Sequence, residues 1–133
     1  MRGFAFLSAL LLFASQADAK SSGLTVKTGE TWLFSLSAGQ PVNAKRAHPD
    51  AKPAPGQIQV TVRSLLGTTM TLTSNNQQAY VYQAELVGSG KATPARSCTL
   101  PANNRLSFEN WPQSATAVRI HDFRVATKDG SCP

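Results

Sequence analysis

The sequence predicts an all-β fold: a small single-domain β-sandwich of about seven short antiparallel strands with one disulfide, or alternatively a partly open β-barrel. Three observations carry this. Apolar and polar residues alternate at period two through most of the chain, the spacing of a strand with one buried face, and no stripe at helical spacing appears. Valine, threonine and aromatic residues, which suit a pleated surface, fill those runs. Asn, Pro and Gly separate the runs at close intervals.

The first stretch, residues 1–19, stands apart. Arg2 places a positive charge near the amino end, Phe4 to Ala14 is apolar apart from Ser8, and Ala17-Asp18-Ala19 puts small residues at both positions a signal peptidase reads. The apolar run is little more than half the ~20 residues of a spanning helix. No cysteine follows it to accept a lipid. A cleaved signal peptide is therefore expected, with the cut between Ala19 and Lys20, and with it export to the periplasm or, failing that, outside the cell. Residues 20–133 then form one domain, with no integral membrane span.

Along that domain, Leu24 and Val26 mark a weak opening strand. Thr31 to Ser37 places Trp32, Phe34 and Leu36 on one face, and Gln57 to Ser64 does the same for Ile58, Val60 and Val62. Between them, the segment 47–56 contains Pro49, Pro53 and Pro55; each lacks a backbone donor, so an exposed, unpaired loop is expected. Met70 and Leu72 alternate with Thr69, Thr71 and Thr73. Ala79 to Val87 aligns Tyr80, Tyr82, Ala84 and Leu86. Ser74-Asn75-Asn76 tolerates positive φ, so Thr68 to Val87 reads as a hairpin. Gly88 to Ser97 reads as loop, and Pro101 to Asn104 as a tight turn. Leu106 and Phe108 mark a short strand, ended by Trp111-Pro112 because the residue before proline is forced to be extended. Val118 and Ile120 begin the last strand, but Phe123 and Val125 fall on the opposite parity. A β-bulge near His121 and Asp122 would return both pairs to the core side. The expected core is Trp32, Phe34, Ile58, Val60, Tyr82, Leu86, Phe108, Val118 and Ile120. At this spacing Tyr80 and Tyr82 read as core rather than as a sugar-binding face shared with Trp32 and Trp111.

Cys98 and Cys132 are expected to pair in an oxidising compartment. They would close a loop of about 35 residues, which the chain-entropy model values at roughly 3–4 kcal/mol. Net charge is +6 and survives cleavage, since Arg2 and Asp18 leave together. The cations are scattered, with no block of like charge, so a nucleic-acid partner is not expected.

No nucleophile elbow, zinc-protease helix, phosphate loop or calcium loop is present, and no metal or cofactor is implied. Gly88-Ser89-Gly90-Lys91 lacks both the leading glycine and the following helix of a phosphate loop. His121 adjoins Asp122, but strand neighbours point to opposite faces, so a triad-like contact would need the bulge. The leading expectation is a non-enzymatic binding module for a protein or an anionic envelope polymer. The second is an enzyme inhibitor or envelope accessory acting through the 47–56 loop, with Lys45, Arg46 and Lys52 as its cationic contacts. The third is a small hydrolase assembled from His121, Asp122 and Glu109.

Overall fold

The structure, a computed structural model, describes residues 23–127. The expected signal segment, the Ala19–Lys20 cut and Cys132 lie outside the described residues. Among the described residues nine strands are formed: β1 (Leu24–Lys27), β2 (Thr31–Ser37), β3 (Gln40–Ala47), β4 (Ile58–Arg63), β5 (Thr68–Ser74), β6 (Tyr80–Gly88), β7 (Lys91–Ala95), β8 (Leu106–Trp111) and β9 (Ala117–Val125). They make two antiparallel sheets, one ordered β1-β9-β6-β7 and the other β3-β2-β4-β5-β8. The two sheets pack face to face as a sandwich, and each inner face follows the period-two pattern. Val60 pairs with Trp32 on one side and Leu72 on the other; Ala84 pairs with Ile120, and Leu86 with Val118.

Two strands go beyond the seven expected. β3 (QPVNAKRA) and β7 (KATPA) are partly or wholly exposed along their length. Each lies at a sheet edge with little to bury, so neither shows a hydrophobic alternation. β7 falls inside Gly88–Ser97, which the sequence assigns to loop. Ser89 and Gly90 turn it back on β6 with φ of +45° and +76°, the signs a two-residue hairpin needs.

The expected hairpin from Thr68 to Val87 is not formed, because β5 and β6 belong to different sheets. The Asn75-Asn76 turn carries the chain across the sandwich. The Asn75 N–H donates to Gln57 O at 2.9 Å, and Asn76 O accepts from Asn103 N–H at 2.9 Å. Both flanking strands have an inner face to bury, and crossing between sheets buries both.

Of the expected core, Phe34, Ile58, Val60, Tyr82, Leu86, Val118 and Ile120 are buried, and Trp32 packs half-buried at the margin. Phe123 completes the centre, stacked on Tyr82 with ring centroids 5.2 Å apart and tilted against Phe34 at 5.8 Å. Phe108 is a correction: it is 63 % exposed, as is Leu106 at 66 %. Met70 pairs with Glu109 and Thr68 with Trp111, so β8 turns Ser107, Glu109 and Trp111 inward. A one-residue slip would bury Phe108 but expel the larger indole, whose Nε1–H donates to Arg96 O at 2.9 Å.

The bulge lies where the sequence places it. Val81 pairs with Arg124 but Gln83 with His121, so Asp122 and Phe123 together oppose Tyr82. Asp122 takes the left-handed conformation, with φ of +52°. The extra residue returns Phe123 to the core. Val125, by contrast, stays 53 % exposed at the end of the strand.

Candidate functional site

From His48 to Gly56 the expected loop lacks regular pairing, but it is not free. Ala47 belongs to β3. Beyond it the chain folds over the outer face of the five-stranded sheet. Gln59 Nε2 donates to Pro49 O at 3.0 Å and to Ala51 O, and Asn75 Nδ2 donates to Pro53 O at 3.0 Å. Pro53 is buried. The outward-facing Thr31 and Thr61 are buried too, with their hydroxyls bonded at 2.8 Å.

Lys45 and Arg46 stand on β3 rather than in the loop, and as strand neighbours they project to opposite faces. Arg46 Nη1 contacts Glu30 Oε2 at 2.9 Å. The other Glu30 oxygen accepts from Trp32 Nε1–H and Lys27 N–H, and these bonds, aided by Arg46 nearby, hold the carboxyl below its ordinary range. Lys45 and Lys52 are exposed. Cys98 is half-buried in the segment that closes the sandwich between β7 and β8; its expected partner, Cys132, lies outside the described residues.

The bulge brings His121 and Asp122 into contact. His121 Nδ1 lies 2.8 Å from Asp122 Oδ2, and Nε2 lies 2.8 Å from Glu85 Oε1, though without hydrogen-bond alignment. The same Glu85 oxygen is 2.8 Å from Arg119 Nη1. Gln40 donates through Nε2 to Asp122 and accepts from its backbone N–H at 3.3 Å, tying the bulge to the start of β3. The bonds from Gln40 and His121 hold the Asp122 carboxyl below its ordinary range. The imidazole is thus gripped between two carboxylates, and among the described residues no hydroxyl is hydrogen-bonded to either ring nitrogen. Glu109 is not part of this cluster. His121 lies on the outer face of the four-stranded sheet, while Glu109 faces inward from the other sheet. His48 is exposed and accepts from Asp50 N–H at 3.1 Å within its own loop.

Glu109 is 8 % exposed and accepts from Cys98 N–H at 2.7 Å. Burial raises its carboxyl above the ordinary range, and the Cys98 bond opposes that shift. Tyr82 has a buried hydroxyl without a hydrogen-bond partner, and burial together with nearby Glu109 pushes its phenol up.

A concavity of about 660 Å³ lies between β7 and the β8–β9 connection. Leu86, Pro94, Trp111 and Pro112 give it an apolar lining, and Lys91 and Arg96 add cationic groups. Its wall is fixed by Thr68, whose Oγ1 donates to Gln113 O at 2.8 Å and accepts from Ala115 N–H at 2.9 Å. Gly67, at φ +102°, lets the β4–β5 turn approach the Trp111 carbonyl so closely that a Cβ there would lie 2.2 Å from it. In the sequence, its lining residues Trp111-Pro112 mark the end of a strand and Gly88-Ser89-Gly90-Lys91 fails the phosphate-loop pattern, and neither points to a cleft. The aromatic residues do not form a shared face: Tyr82 and Trp111 are buried, and Tyr80 and Trp32 half-buried.

No protein-family model, no curated protein and no solved structure matches this chain.

Proposed function

We propose that the chain is an exported, periplasmic, non-enzymatic binding module that takes a segment of a partner protein or an anionic envelope polymer. The observation behind this is the cleft beside Trp111: an apolar lining, cations among its walls and a fixed backbone are the ingredients of a recognition site. Its polar equipment is Lys91 and Arg96 with the neutral side chains of Ser89, Thr93, Gln113 and Ser114, suited to orienting a ligand. The loop at 47–56, held down by Gln59 and Asn75, is a less natural inserting element.

The test is capture of envelope components by the mature domain, wild type against two cleft variants. Ser114→Trp fills the cleft from an exposed position, and Lys91→Glu reverses an exposed charge in its wall. Each should weaken capture by about tenfold or more without altering the melting temperature. Equal capture by both would move the binding surface elsewhere. Intact mass of the exported protein should give a chain beginning at Lys20 with both thiols blocked; retention of residues 1–19 would overturn the compartment.

A further inference from the structure

The four sheet edges are not alike. An edge strand leaves a row of backbone donors and acceptors open to pairing, and natural proteins blunt such edges with brevity, lysine, proline or bulges. β1 has four residues and ends in Lys27. β7 carries Lys91 and Pro94. β3 carries Pro41, Lys45 and Arg46, a register shift against β2 and Asn43 at φ +53°. β8 has none of these. Its six residues pair in unbroken register with β5, and its one charge, Glu109, faces inward. Among the described residues no backbone group bonds its other edge. Its outer face shows Leu106 and Phe108, 66 % and 63 % exposed.

We propose that β8 pairs antiparallel with β8 of a second copy of this chain, joining two five-stranded sheets into one continuous sheet. A twofold axis normal to the sheet keeps outer faces together. Centred on Phe108, it sets Phe108 against Phe108, Leu106 against Asn110 and Ser107 against Glu109 of the second copy. Centred on Glu109, it would oppose two carboxylates, which is unfavourable. Charge favours a second copy as the occupant. The chain carries +6, every other edge strand contains at least one cation, and β8 contains none. Two copies therefore meet where their mutual repulsion is weakest, and added salt, by screening the remaining repulsion, tightens the pair. An anionic partner would show the opposite salt dependence. The pairing centres on Phe108, whereas the cleft takes from β8 only its last residue, Trp111, and the variants at Phe108 lie outside the cleft lining, so either proposal can fail without the other.

Sedimentation velocity of the mature protein over a range of concentration and salt should show a monomer–dimer equilibrium that strengthens with salt. Phe108→Lys, at an exposed position, should raise the dimer dissociation constant at least about tenfold with the melting temperature of the monomer unchanged. Phe108→Cys should form a dimer linked through residue 108 on oxidation, because residues facing each other across a strand pair have Cβ atoms about 4.5–5.5 Å apart; Asn110→Cys should not link to itself. A protein monomeric at every concentration, a dimer indifferent to Phe108→Lys, or one that weakens with salt would overturn the proposal. So would a monomer whose β8 amides resist exchange, since the edge would then be covered by the chain's own terminal residues.

Discussion

β9 buries Val118, Ile120 and Phe123 by inserting an extra residue at Asp122, whereas β8 keeps its register with β5 and leaves Leu106 and Phe108 in solvent. β9 runs between β1 and β6, with the opposite sheet below it. Three sets of neighbours demand that its apolar residues face inward, and the backbone accommodates them with a left-handed residue. Among the described residues β8 is held along one edge only. Its parity is set by Trp111, which fills the end of the sandwich, and by Glu109, which caps the Cys98 amide. A central strand bends its backbone to save its side chains; an edge strand gives up side chains to keep one anchor.

The contrast can be broken most severely at Ile120, which is fully buried. Ile120→Ala should cost about 2–5 kcal/mol by chemical denaturation. A loss below about 0.5 kcal/mol would mean that the inner face of β9 is misassigned. Next in size is the bulge itself. Asp122→Val forces a β-branched residue into the left-handed region and should destabilise by roughly 1–2 kcal/mol, while Asp122→Gly, which accepts that conformation, should cost less. Equal losses from the two would show that the His121 and Gln40 contacts, not the backbone, hold the bulge.

A smaller effect separates the carboxylates of the two strands by pH. Glu109 has a raised pKa in the folded protein, so the native state holds its proton more tightly than the unfolded chain does. The resulting stability is present below the ordinary glutamate range and is lost as pH rises through the raised value. Asp122, with a lowered pKa, contributes in the opposite sense: its stability is present above the ordinary aspartate range and is lost as pH falls through the lowered value. Glu109→Gln should therefore abolish the decline on the rising-pH side and leave the acid-side loss in place. An unchanged profile of melting temperature against pH would show that Glu109 is not desolvated. Smallest is Phe108→Ala, expected to cost less than about 0.5 kcal/mol in dilute, monomeric protein because the ring is mostly in solvent. A core-sized penalty would place Phe108 inside.

Much of this was written in the residue pattern. Alternation located β2, β4, β5, β6 and β9, and the broken parity between Ile120 and Phe123 located the bulge, because a buried strand must present its apolar side chains to one face. The His121–Asp122 contact depended on that bulge and could be stated only conditionally. The cleft beside Trp111 had no signal that marked it as a cleft, since it is assembled from β7, the end of β8 and the connection to β9.

By itself, then, the sequence determined the sandwich, most of its core and the site of the bulge, all of which follow from period-two burial along single strands. Only the tertiary structure decided the rest. β5 and β6 part into different sheets because each has an inner face to cover. β3 and β7 exist because an edge strand needs only backbone pairing and leaves no hydrophobic trace. Phe108 faces outward because burying Trp111, three residues along and on the opposite parity, excludes it from the core.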